Sequence, residues 1–280
     1  MPAELMTWDP ATYHADTTAV SHTALDCFID DPALYYGRYV SKVWPQEDKD
    51  TFTFGRILHE VFLFDRDLSD VVIEIPASVL SKSGSRAGQA WKDFAAECAE
   101  ADRTPLFAEE IAAITAMCGA IFSHPLACKV FESEGPVEAP IVWTDHRGLK
   151  RKAMLDKLAT RLAIGDLKGM ANVDLHAFRR SAYDYGYHRQ AAYYVEAARE
   201  LTGDEWPFLF VAVKKTPSYA CEVIMLDEGF VELGRQENED ALDRLVECRE
   251  TGRWHRRDYG KIVTIEAPAW ALKQRELVTV

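Results

Sequence analysis

The stretch Ile164-Gly165-Asp166-Leu167-Lys168 decides how this chain is read. In a β-strand successive side chains alternate faces, so Asp166 and Lys168 emerge side by side. The apolar run Leu162-Ala163-Ile164 draws the strand inward. A carboxylate and an ammonium delivered to one place suit metal-assisted phosphodiester hydrolysis. Carboxylates hold a divalent cation that polarises the phosphate and acidifies a bound water, while a lysine positions the water and offsets developing charge. Taken alone, Asp-x-Lys on a strand is more often a surface ion pair, so its meaning rests on its surroundings.

Those surroundings predict a meander ending on the Asp-x-Lys strand. Val137 to Thr144, Leu149 to Asp156 and Ala159 to Lys168 read as strands, and Asp145-His146-Arg147-Gly148 reads as the hairpin turn between the first two. A long helix is predicted from about Leu175 to Leu201, then a buried strand of the parallel kind from Pro207 to Lys214, then Ala220 to Leu226. Upstream of Pro136 the pattern is helical. Ser21 caps a helix to Phe28, Asp31-Pro32 opens one to Tyr39, and Thr51 to Phe64 is amphipathic and carries His59. Ala87 to Ala101, Ala108 to Phe122 and a segment opened by Ser123-His124-Pro125 follow. The expected fold is α/β with a mixed sheet: an N-terminal helical annex over about 18–134, a core of helix, three strands, helix and strand over about 135–226, and a C-terminal helix and tail over 227–280, all one domain. Glu228 to Thr251 is a charged amphipathic helix, and the tail from Lys261 is weakly determined.

Length and composition set limits. At 280 residues, 48% hydrophobic and 28% charged, the chain can bury a substantial core. No apolar run is long enough to span a bilayer, and Met1-Pro2-Ala3-Glu4-Leu5 lacks the order of a secretory signal, so no membrane partner and a cytoplasmic address are expected. The six cysteines are scattered without a C-x-x-C pair, which suggests neither a disulfide framework nor a zinc site. A net charge of −13 argues against coating nucleic acid through the overall field. From His146 to Arg189, however, ten basic residues face four acidic ones, a net +6 inside an acidic body. That zone reads either as a phosphate-handling cleft or as a solvated face.

The order Gly55-x-x-x-His59, Glu138, Asp156, Asp166-x-Lys168 and Gln190-x-x-x-Tyr194 resembles the RecB-like branch of the PD-(D/E)XK nuclease superfamily. Within that branch it looks most like RecE-type phage and prophage exonucleases. The local flavour lies in Val20-Ser21-His22-Thr23-Ala24-Leu25, Gly88-Gln89-Ala90-Trp91, His124-Pro125-Leu126-Ala127 and the run from Tyr187 to Tyr194. The likeness covers roughly Ser21 to Leu226.

The resemblance implies a role for each matching position. Asp156 and Asp166 would be the main metal ligands, with His59 and the Leu167 backbone carbonyl completing the set, and Lys168 would be the catalytic lysine. Glu138 would help hold water or a second ion. Gln190, Tyr194 and Tyr187 would line the site and the DNA strand, with Arg151 and Lys152 as DNA-binding or supporting cations. Mg²⁺ or Mn²⁺ is the implied cofactor, with no nucleotide and no iron–sulfur cluster, since the four-cysteine pattern is absent. The implied activity is 5′→3′ digestion of linear duplex ends to leave 3′ single strands. The implied partners are double-stranded DNA ends, a ring-like homo-trimer or tetramer, and a single-strand annealing protein. Gly169 departs from the pattern, since relatives often carry Thr there. The rivals are a non-catalytic DNA-end-binding scaffold and an endonuclease on the same core.

Overall fold

The computed structural model describes residues 3–45, 53–256, 259–262 and 264–267. Along the chain come β1 (Glu4–Leu5), α1 (Pro10–Ala15), α2 (His22–Asp30) and α3 (Pro32–Tyr35), which continues as a π-helical turn over Tyr36–Val40. Next are α4 (Thr53–Phe62), α5 (Leu68–Val71), β2 (Val72–Glu74), α6 (Gln89–Glu100), β3 (Thr104–Leu106), α7 (Ala108–Ser123) and α8 (Pro125–Glu132). The remainder is β4 (Val137–Thr144), β5 (Lys150–Ala159), β6 (Ala163–Met170), α9 (Leu175–Asp184), α10 (Tyr187–Thr202), β7 (Phe208–Lys214), β8 (Cys221–Ile224) and α11 (Glu228–Thr251). Side-chain caps start several helices where the sequence signals them: Ser21 Oγ accepts from the Ala24 amide, Asp31 caps the Pro-led α3, and Asp227 accepts from Phe230.

Six strands form one mixed sheet in the order β1-β4-β5-β6-β7-β8. β4, β5 and β6 are the antiparallel meander, β7 lies parallel to β6, and the edge strands β1 and β8 are antiparallel. The hairpin between β4 and β5 forms as expected. Asp145 accepts from the Arg147 and Leu149 amides, and Gly148 takes a φ of 78°. Phe210, Val211, Ala212 and Val213 are all fully buried because helices cover both faces of β7. On one face α2, α9, α10 and α11 enclose a core containing Leu25, Phe28, Phe178, Phe210 and Leu242. On the other, α4, α7 and α8 enclose Ile57, Leu58, Ile114, Met117 and Val211. The helical annex thus wraps both faces of the sheet.

Three expectations are corrected. The helix predicted over 175–201 is two helices, because Gly186 adopts a φ of 69° and stops α9 before α10 begins. The third strand begins at Ala163, after a turn in which Arg161 has a φ of 61°. The chain before residue 18 also joins the core, with Glu4 and Leu5 pairing to Val142 and Ile141. The parallel pair β2–β3 is too short to leave an alternation in sequence. The predicted helix start at Thr51 and Phe52 lies outside the described residues, as do residues 263 and 268–280 of the tail. Among the described residues no single helix is long and apolar enough to cross a membrane; the bent pair α7 and α8 passes by length and composition only.

Gly186 gives a direct test of the break. A Cβ there would sit 2.3 Å from the Arg189 guanidinium, which bridges Asp26 and Glu237. Gly186→Ala is expected to destabilise the fold by about 1–2 kcal/mol, the cost of a left-handed alanine. In denaturant unfolding the midpoint should fall with an unchanged slope; a stability equal to wild type would contradict this account.

Candidate active site

The site is built where the meander loses its regularity. In the β4–β5 register Val137 pairs with Lys157 and Ala139 with Leu155, which sets Glu138 across from Asp156. Alternation would put Val137 and Ala139, two apart, on one face and Leu155 and Leu158, three apart, on opposite faces, yet Val137 and Ala139 pack into opposite cores while Leu155 and Leu158 share one. Both strands therefore switch faces at Glu138 and Asp156. Glu138 carries the switch in its backbone, with a φ of 38° that a non-glycine residue adopts at a cost of about 1–3 kcal/mol. Such kinks re-aim side chains. Here two carboxylates are turned toward α4 and β6.

Pairing between β5 and β6 ends at Lys157 with Gly165. Beyond it the strands part, and the freed Leu167 amide donates to Asp156 Oδ2 at 2.9 Å. Because the N–H and C=O of one strand residue point the same way, the Leu167 carbonyl is turned toward the same gap. His59, on α4, reaches in from the annex, with Nε2 3.3 Å from Asp156 Oδ2 and Nδ1 3.4 Å from Glu138 Oε1. Gly55, one turn earlier, faces open space where a Cβ would be.

From the opposite core α10 supplies Gln190, whose Nε2 donates to Asp166 Oδ1 at 2.7 Å. Lys168 Nζ lies 2.8 Å from Asp166 Oδ2, outside aligned hydrogen-bond geometry, and 5.4 Å from the Tyr187 ring centroid. Tyr194 packs against Phe208 and His22. Its hydroxyl is kept un-ionised by burial and by nearby Tyr13, Asp166 and Asp156.

Electrostatics bind these groups into a unit. Asp166 is 1% exposed. Burial and the neighbouring Asp156 push its carboxyl up to about 6 against the pull of Lys168. Burial works against the charged form of His59, yet Asp156, Glu138 and Asp166 together raise it to about 9. Burial likewise opposes the Lys168 ammonium, and Asp166 and Asp156 outweigh it. Asp166 Oδ2 and Glu138 Oε2 are buried without a hydrogen-bond partner. Three carboxylates, one imidazole and a backbone carbonyl form an oxygen-rich donor set suited to Mg²⁺ or Mn²⁺, and Glu138 Oε2, buried without a partner, has lone pairs a cation would satisfy. The residues fit a divalent metal by their chemistry. As they stand, the side chains pair with one another, and among the described residues no three of them converge on a single point.

Two cations expected at the site are elsewhere. Arg151 is fully buried, holds Glu196 at 2.5 and 2.8 Å, and packs against both the Trp143 and Tyr193 rings. Lys152 is buried too, and its ammonium donates to the Tyr13 and Asp16 carbonyls. Neither is free to meet DNA, because burying a cation requires internal partners that then occupy it. The same holds for much of the basic zone: Arg147, Lys150, Lys157 and Arg189 all have protein partners. Sequence reading also missed α1. His14 lies close enough to Glu138 to feel its charge, although burial and Lys152 together lower its pKa. A helix of six residues carries too little periodicity to announce itself.

A helix, an antiparallel meander bearing Asp and Asp-x-Lys, and a crossover to a parallel strand define the class: this is a PD-(D/E)XK superfamily fold. The chain belongs to the family described as a PDDEXK-like domain of unknown function (DUF3799), whose profile matches residues 21–266. It is also similar in fold to a crystal structure of an exonuclease candidate from Eubacterium rectale. That similarity has a TM-score of 0.63 and 14% identity, and covers 96% of this chain and 98% of the other. No curated protein matches in sequence.

Proposed function

We propose that this chain is a Mg²⁺- or Mn²⁺-dependent exodeoxyribonuclease of RecE-like type that hydrolyses phosphodiesters from linear duplex ends. The observation that carries the proposal is the joining of His59, Glu138, Asp156, Asp166, Lys168 and Gln190 in one partly buried cluster where β5 and β6 part. When bound, a divalent metal supplies Lewis-acid polarisation of the phosphate and an acidified water. Asp156, Asp166, His59 and the Leu167 carbonyl are the residues that would hold it. Gln190 fixes the Asp166 carboxylate, and the Leu167 amide fixes that of Asp156, so neither must reorganise during reaction. Lys168 places a positive charge against the carboxylates, where it orients water and offsets charge building on phosphate oxygens. Glu138 accepts a proton or holds water beside His59. Digestion is 5′→3′, leaving 3′ single strands for an annealing partner. A ring of three or four copies would supply the grip that a subunit of net charge −13 lacks.

End-labelled linear duplex beside closed circular duplex, with Mg²⁺ or EDTA, tests the reading. Loss of linear DNA alone, with metal only, is expected, and the first label released reports polarity. Cleavage of the circle would make the chain an endonuclease, and cleavage of neither would leave a DNA-end scaffold.

Metal binding has its own readout. At a hundred times the dissociation constant, a ligand confined to the native state adds about 2.7 kcal/mol, which raises Tm by roughly 5–10 °C. Mg²⁺ or Mn²⁺ should produce such a shift in the wild-type chain and none in Asp166→Asn. A wild-type Tm indifferent to both metals would remove the metal from the proposal.

A further inference from the structure

We infer that the outer face of α9 is a binding track for a single DNA strand running away from the cluster, a conclusion that rests on the nuclease reading and extends it. Of the ten basic residues between His146 and Arg189, seven have partners inside the protein. The other three are exposed and have no hydrogen-bond or ion-pair partner among the described residues, Arg161 in the turn before β6 and, together on α9, Arg179 and Arg180. The α9 pair lines a surface hollow of about 460 Å³ with His176, Tyr183 and Phe230, and no acidic side chain lines it. In a chain of net charge −13, such a hollow selects an anion.

Its aromatic groups say which kind. Tyr183 is 57% exposed although one side of its ring stacks on His188, at 5.5 Å and 11°, and His188 stacks in turn on Phe230 at 5.1 Å. The backing of two rings fixes Tyr183 as a platform. Tyr185, 68% exposed, lies next, its ring 6.0 Å from that of Tyr187, which lies over Lys168. Tyr183, Tyr185 and Tyr187 thus fall within five consecutive residues at the junction of α9 and α10, which joins the helix bearing Arg179 and Arg180 to the ring beside Lys168. Exposed rings interleaved with cations are how proteins hold an unpaired strand, since each base has a face to stack and each nucleotide a phosphate to neutralise. A duplex offers the phosphates but keeps its bases stacked on one another. The occupant is therefore a single strand, frayed or separated beside the cluster.

The test is fluorescence anisotropy of the full chain with a short labelled oligodeoxythymidine, in EDTA so that binding is read without hydrolysis. Wild type should bind this strand more tightly than a blunt duplex of equal length. Arg179→Glu with Arg180→Glu should weaken it by tenfold or more and reduce the slope of log affinity against log salt by about 1.4, two phosphate contacts on a single strand. Tyr183→Ala should cost about tenfold, and Tyr183→Phe should restore binding, since stacking needs the ring and not the hydroxyl. All three positions are exposed, and unchanged circular dichroism and Tm would confirm intact folds. Affinities of the charge-reversed and Tyr183→Ala proteins within twofold of wild type would overturn the inference, as would equal binding of the duplex or preference for the same sequence in RNA. If the variants lose the oligonucleotide while wild type cleaves nothing with any metal, the enzymatic proposal fails and the track stands. If wild type cleaves linear ends and every variant binds like it, the reverse holds.

Discussion

Lys168→Ala is expected to slow phosphodiester hydrolysis by about 10²–10³-fold, the usual effect of removing one preorganised stabiliser of transition-state charge. The ammonium stands 2.8 Å from Asp166 Oδ2 and, like His59, feels the charge of both Asp166 and Asp156. Single-turnover cleavage of linear duplex isolates the chemical step, and the loss should appear in the rate and not in the substrate affinity. The fold should persist, because Gln190 still holds the other Asp166 oxygen and burial already favours the neutral carboxyl. A rate within threefold of wild type would remove Lys168 from the chemistry and make it an ion-pair partner of Asp166.

Arg151→Ala should have the opposite profile. The guanidinium is fully buried against two aromatic rings and makes a bidentate pair with Glu196. Breaking a buried pair from one side costs about 3–5 kcal/mol. Because the Glu196 side chain keeps 19% of its exposure, the lower end applies. Thermal unfolding should show a Tm drop of about 6–12 °C. Below that transition cleavage should proceed at the wild-type rate, since Arg151 faces the α2 and α10 core and not the cluster. Arg151→Met combined with Glu196→Leu should recover part of the stability, because neutral packing then replaces an uncompensated carboxylate. Cleavage lost at a temperature where the protein is folded would return Arg151 to the substrate surface.

The contrast between these residues marks what sequence could and could not say. Asp166 and Lys168 were legible because strand alternation is local and their apolar flanks fix the strand. Arg151 and Lys152 were misplaced because a cation looks the same whether it faces solvent or a partner. Glu196 lies 45 residues downstream, and the carbonyls that hold Lys152 belong to a six-residue helix, with no signature of its own, and to its C-cap Asp16. The break at Gly186 was hidden for a related reason. A glycine within an amphipathic run is tolerated in many helices, and only the crowding of Arg189 against it, itself tied to Asp26 and Glu237, makes the left-handed turn evident.

By itself the sequence determined the mixed α/β fold, the order of the acidic, lysine and glutamine positions and the elements that carry them, because periodicity, caps and turn residues act over a few neighbours. Tertiary structure decided the rest. It set Glu138 across from Asp156 at a shared kink, brought His59 from a helix 79 residues before Glu138, and settled which cations remain free. Charge interactions fall with distance and with the surrounding dielectric. Neither is a property of a residue's place in the chain, so a site made of charges becomes defined only when the chain closes around it.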